Sequence, residues 1–92
     1  MSKIIDLELF KKIDELLWEQ WDPLGVYGTD ARGAYYAYIP EVYELVRSRA
    51  SVNAITYYFL GIEKDTMGLR AKGRKEKCTE VAKTLLSYLE KR

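Results

Sequence analysis

Several groups of residues in this 92-residue chain have the types and spacing to do chemistry. They are Cys78 beside Lys75 and Lys77, the acids Asp14, Glu15, Glu19 and Asp22, the basic run from Arg70 to Lys77, and the rings of Trp18, Tyr27, Tyr35 and Tyr36. Histidine is absent, which removes the commonest general base, triad member and metal ligand. A cysteine near a helix start and next to lysines can be held as a reactive thiolate. Cys78, however, opens the apolar stripe Cys78, Val81, Ala82, Leu85, Leu86 and Leu89. Free cysteine is among the most buried residue types, so an inert, buried thiol is expected. Asp22 precedes Pro23 at the end of a helical pattern, where this pair makes turns before it makes acids or bases. The other acids read as a solvated helix face, not as a metal cluster.

Phosphate-binding loops are missing as well. Gly25-x-x-Gly28 lacks the lysine and the following Ser or Thr, and Gly73-Arg74-Lys75 is not a P-loop. No catalytic residue, cofactor or metal is therefore assigned, and an enzyme ranks third among the readings. The basic run holds Arg70, Lys72, Arg74, Lys75 and Lys77, five bases in eight residues, and could contact phosphates or an acidic protein. The chain as a whole carries a net charge of +1 and shows no recognised nucleic-acid motif, so a solvated loop is the first expectation and nucleic acid the last. The charge is uneven along the sequence: residues 1–31 hold seven acids and three bases, and residues 66–92 three acids and eight bases.

The elements that must position these groups follow from apolar periodicity. Ile5, Leu9, Phe10, Ile13, Leu16, Leu17 and Trp21 fall on one helical face, with Ser2 or Asp6 able to cap it. Trp18 lies beside that stripe and is expected to be partly exposed or to cover a neighbouring element. Trp21-Asp22-Pro23-Leu24-Gly25-Val26-Tyr27-Gly28 is then a corner, because the ring of Pro23 disfavours a helical Asp22 and glycines follow. Residues 33–39 admit a short strand or helical turns, and helical turns are preferred, since Tyr35, Tyr38, Ile39, Val42, Leu45 and Val46 keep a helical rhythm. Ser51 is an N-cap for a third helix bearing Ala54, Ile55, Tyr58, Phe59 and Ile62. Gly61 suggests close approach of another helix, and Met67-Gly68-Leu69 is a C-terminal stop. Arg74, Lys75 and Lys77 lie in the first turn of the last helix, at the wrong end of its dipole, so either some other interaction favours them or the helix begins later.

Helices are thus predicted near residues 3–21, 40–49, 52–65 and 75–90. One core is expected from Leu9, Ile13, Leu17, Trp21, Val42, Leu45, Ile55, Phe59, Ile62, Val81, Leu85 and Leu86. The fold class is all-α: a single domain over 1–92, a compact bundle of about four helices with an irregular Gly/Tyr-rich connection after the first. The single cysteine fits a reducing compartment, and no run approaches the ~20 apolar residues of a membrane span, so a cytoplasmic chain without a membrane partner is expected.

Trp21-Asp22-Pro23-Leu24-Gly25 after an amphipathic helix, then Tyr38-Ile39-Pro40, Ile62-Glu63, Met67-Gly68-Leu69 and Cys78-x-x-Val81-Ala82-x-x-Leu85-Leu86 form a longer pattern. Over nearly the whole chain it resembles the small bacterial domain-of-unknown-function family of the YugE-like type. The resemblance implies a compact all-helical fold without an established activity. Relatives carry an acidic D-E-Y-D where this chain has Gly33-Ala34-Tyr35-Tyr36, so no role for those acids is carried over.

The leading expectation is a non-enzymatic module that binds another protein, in the manner of an accessory factor, inhibitor or immunity protein. Its centre is expected where the corner meets the tyrosine segment, at Trp18, Tyr27, Tyr35 and Tyr36, because one helical face cannot bury every ring and tyrosine is enriched at interfaces. The alternative is a nucleic-acid-associated protein using the 70–77 loop. A homo-oligomer is compatible with either.

Overall fold

The computed structural model describes residues 6–69 and 72–90. Four α-helices make the bundle, and no strand occurs among the described residues. α1 (Leu7–Leu16) starts at Asp6, whose side chain accepts from the Leu9 N–H. It runs on into a π-helical turn, Leu17–Trp21, closed by the Asp22 N–H donating to the Leu17 carbonyl. After the corner a short 3-10 turn, Tyr36–Tyr38, leads into α2 (Ile39–Arg47), which has Pro40 in its first turn. Proline is tolerated there because its missing N–H has no helical partner to lose. The preferred helical reading of the tyrosine segment therefore holds in part, and Pro40 falls in the first turn of α2.

α3 (Val52–Gly61) is capped by Ser51, which accepts from the Ala54 N–H, and it too ends in a π-helical turn, Ile62–Thr66. Gly68, at φ +69, lets the chain leave that turn, with the Leu69 N–H reaching back to the Glu63 carbonyl at 2.7 Å. α4 (Arg74–Glu90) is the longest helix and packs most extensively on α3.

Of the expected core, Leu9, Ile13, Leu17, Trp21, Val42, Ile55, Phe59, Ile62, Val81 and Leu85 are buried, whereas Leu45 and Leu86 are half-buried against its edge. Of the two expectations for Trp18, part exposure does not hold and covering a neighbouring element does: the ring is buried, against Tyr27 of the corner and Arg32 of the segment that follows it. A π turn takes up more residues per turn than an α-helix, so the end of α1 buries the consecutive Leu16, Leu17 and Trp18 together with Trp21. The expectation of a close helix crossing at Gly61 is not met: a Cβ there would have nothing within 4 Å.

Candidate functional site

The two π-helical turns meet: Trp21, the last residue of the first, reaches Glu63 in the opening of the second. Glu63, 1% exposed, lies inside the bundle with both carboxylate oxygens occupied. Its Oε1 accepts from Arg74 Nε at 2.8 Å, and its Oε2 accepts from Trp21 Nε1 at 2.8 Å, Arg74 Nη2 at 3.0 Å and the Cys78 thiol at 3.1 Å. Burial by itself would raise the Glu63 carboxyl, but the donors from Arg74, Cys78 and Trp21 outweigh it and hold the group below its ordinary value. The same surroundings act oppositely on Cys78. Burial first, then its hydrogen bond to an anion, push the thiol up to about 12, so it is a proton donor and not a nucleophile. The expectation of a buried, inert cysteine therefore holds.

This cluster also accounts for the misplaced base at the start of α4. Arg74 spends its guanidinium on Glu63 in a two-pronged pair and is not available as an anion-binding residue. Of the other expected anion contacts, Lys72 and Lys75 are exposed and Lys77 is half-exposed, with the Lys75 ammonium over the Tyr57 ring at 5.7 Å. Arg70 lies outside the described residues.

The corner is built by Asp22. At φ +28 it occupies a backbone region that side chains rarely adopt, and its carboxylate offsets that by accepting from the N–H groups of Val26 and Tyr27 and from the Tyr35 hydroxyl at 2.7 Å. Burial raises this carboxyl, while the bonds from Tyr35, Val26, Tyr27 and Gly25 lower it further, for a net depression. The Tyr35 hydroxyl in turn accepts from the Leu24 N–H at 3.0 Å, and its ring lies 5.2 Å from Trp21. Tyr35 is consequently a core residue, 2% exposed. Its assignment to a partner surface is corrected: a hydroxyl that closes the turn draws the ring inward. Asp22 is confirmed as a turn residue.

Of the other three expected interface rings, Trp18 is buried and its assignment to a partner surface is corrected too, whereas Tyr27 and Tyr36 are exposed; the three come together around a residue that the periodicity did not single out. Arg32 makes a bidentate pair with Asp14, Nη1 to Oδ1 at 2.9 Å and Nη2 to Oδ2 at 3.0 Å. Its guanidinium lies 5.1 Å from the Trp18 ring and 5.7 Å from the Tyr36 ring, while Tyr27 tilts against Trp18 at 5.7 Å. Tyr27 and Tyr36 are 57% and 51% exposed, and Leu24, in the same corner, is 46% exposed. The result is an aromatic surface whose cation is already neutralised by Asp14 and whose rings are held by a tilted contact with Trp18 and a cation–π contact with Arg32. Arg32 had one available signal: it is the lone Lys or Arg between Lys12 and Arg47, set in an irregular, ring-rich segment. No His/Cys/Asp/Glu group among the described residues could hold a metal ion, and no helix there is long and apolar enough to cross a membrane. Compared with known protein families, curated proteins and solved structures, the chain gives no match.

Proposed function

We propose that the chain is a non-enzymatic protein-binding module whose contact surface is centred on Tyr27 and Tyr36, with Leu24 included and Arg32 between Tyr36 and the buried Trp18. One observation carries this reading: two exposed tyrosines are held from beneath, Tyr36 against a guanidinium pre-positioned by Asp14 and Trp18, and Tyr27 against the Trp18 ring itself. Rings held in place this way lose little freedom on binding, and Trp, Tyr and Arg are the residue types that dominate interface energetics. The fold does not need these rings for its core, since Tyr35 and Trp21 fill that role. An accessory, inhibitor or immunity-like task suits a small module of this kind, in keeping with the resemblance to the YugE-like family carried by Trp21-Asp22-Pro23-Leu24-Gly25. The nucleic-acid alternative is weakened because Arg74 is committed to Glu63.

The test is a pull-down from the native host with the parent chain and with a Tyr27→Ala/Tyr36→Ala variant. A partner held by the parent and lost by the variant, with the variant's melting temperature unchanged, supports the reading. For that partner, Tyr36→Ala is expected to weaken binding about tenfold or more. Lost stability with intact affinity would show that these rings belong to the core.

A further inference from the structure

On another part of the molecule, the turn between α2 and α3 and the last turns of α4 enclose a shallow groove of about 320 Å³. Its floor is apolar: Ala50, Val52, Leu86 and Leu89, all half-buried. Ser87, Arg49 and Lys83 also line it, and no acid does among the described residues. Neither cation makes an ion pair among the described residues. The backbone at Arg49 adds an independent observation. α2 closes with the Ala50 N–H bonded to the Leu45 carbonyl and the Arg49 N–H to the Val46 carbonyl, each at 3.0 Å, the paired bonds of a Schellman stop. The residue between must take positive φ, a place that favours glycine, yet here it is Arg49 at φ +60. The groove's lip thus carries a cation at a position whose backbone favours glycine.

We propose that this groove docks an acidic amphipathic segment of a protein partner, apolar side chains resting on Val52, Leu86 and Leu89 and carboxylates meeting Arg49 and Lys83. Charge complementarity selects the partner's sign. Apolar side chains beside two cations match the spaced apolar anchors with flanking acids that an amphipathic helix laid in such a groove presents. The site is separate from the surface around Tyr27 and Tyr36 and does not depend on it.

The probe is a fluorescent helical peptide of roughly 15 residues with leucines at i, i+3 and i+7 and glutamates beside them, titrated into the full chain and mapped by amide chemical shifts. Saturable binding is expected, with shifts confined to residues 49–52 and 83–89, weakening with salt, and weaker by about tenfold or more in Lys83→Glu. Arg49→Gly is expected to melt higher than the parent while binding the peptide less tightly, a divergence that a purely structural role for Arg49 would not produce. Tyr27→Ala/Tyr36→Ala should bind the peptide as the parent does, which keeps this outcome distinct from the fate of the other surface. No saturable binding, binding indifferent to Lys83→Glu, shifts elsewhere on the chain, or preference for anionic vesicles over the peptide would each overturn the proposal.

Discussion

Removing the Arg74 guanidinium by Arg74→Ala would leave the Glu63 carboxylate buried with the Trp21 indole and the Cys78 thiol as its remaining donors. Breaking a buried pair by deleting one partner costs about 3–5 kcal/mol, because the other charge is stranded. The Arg74 side chain is 24% exposed, so water reaches part of the vacated space, and a loss of about 2–4 kcal/mol is the reasoned figure. That is a large share of the roughly 5–15 kcal/mol that holds a domain together. The Asp14–Arg32 pair supplies an internal comparison: its side chains are 24% and 39% exposed, and Arg32→Ala should cost only about 1 kcal/mol or less.

The pH dependence gives a sharper readout, since its sign should invert. In the parent, Glu63 is held below its ordinary 4.5. The unfolded chain then binds the proton more readily, and the stability this group contributes is full above that value and lost as pH falls below it. In Arg74→Ala, burial dominates and raises the group above 4.5, so its contribution is full below that value and lost as pH rises through the new, higher one. The variant's deficit should therefore shrink between about pH 7 and pH 4.5. Urea unfolding followed through the buried Trp18 and Trp21 measures both. A deficit no larger than that of Arg32→Ala, or one that is unchanged or larger at the lower pH, would refute the account of the cluster.

Other consequences are simpler to check. Gly61→Ala should raise stability by about 0.5–1 kcal/mol in a thermal melt, because the position is helical (φ −61, ψ −44) and an added Cβ meets nothing within 4 Å. Tyr35→Phe should cost about 1–3 kcal/mol, since it strands a part-buried Leu24 N–H and removes a donor from Asp22. The Asp22 carboxyl, seen by NMR titration, should then move up toward its ordinary range. Native Cys78 should resist thiol reagents at mildly alkaline pH and react at full rate once unfolded. Because its thiol is raised from 9.0 to about 12, the stability it contributes should be full below 9.0 and decline as pH rises between those values.

Helical stripes were legible because burial on one face of a helix writes itself into spacing, and the corner was legible because Asp-Pro followed by glycine has few other uses. The buried cluster left fainter marks, which were two anomalies of opposite sign. Ile55, Phe59 and Glu63 step by four, which places an acid on the line of an apolar stripe, and Arg74 stands at the end of a helix dipole that repels it. Each is unfavourable alone; together they form one neutral, fully bonded unit. Two facts hid the pairing from the sequence. The partners are eleven residues apart across a loop whose path periodicity does not fix, and the π turn at Ile62–Thr66 sets Glu63 by a geometry that a 3.6-residue wheel does not contain. Arg32 was hidden for a related reason. Its place in an irregular segment gives it no face at all until Asp14, Trp18 and Tyr36 supply one, so a surface made of one helix, one π turn and one loop became visible only when the corner at Asp22 had brought the three together.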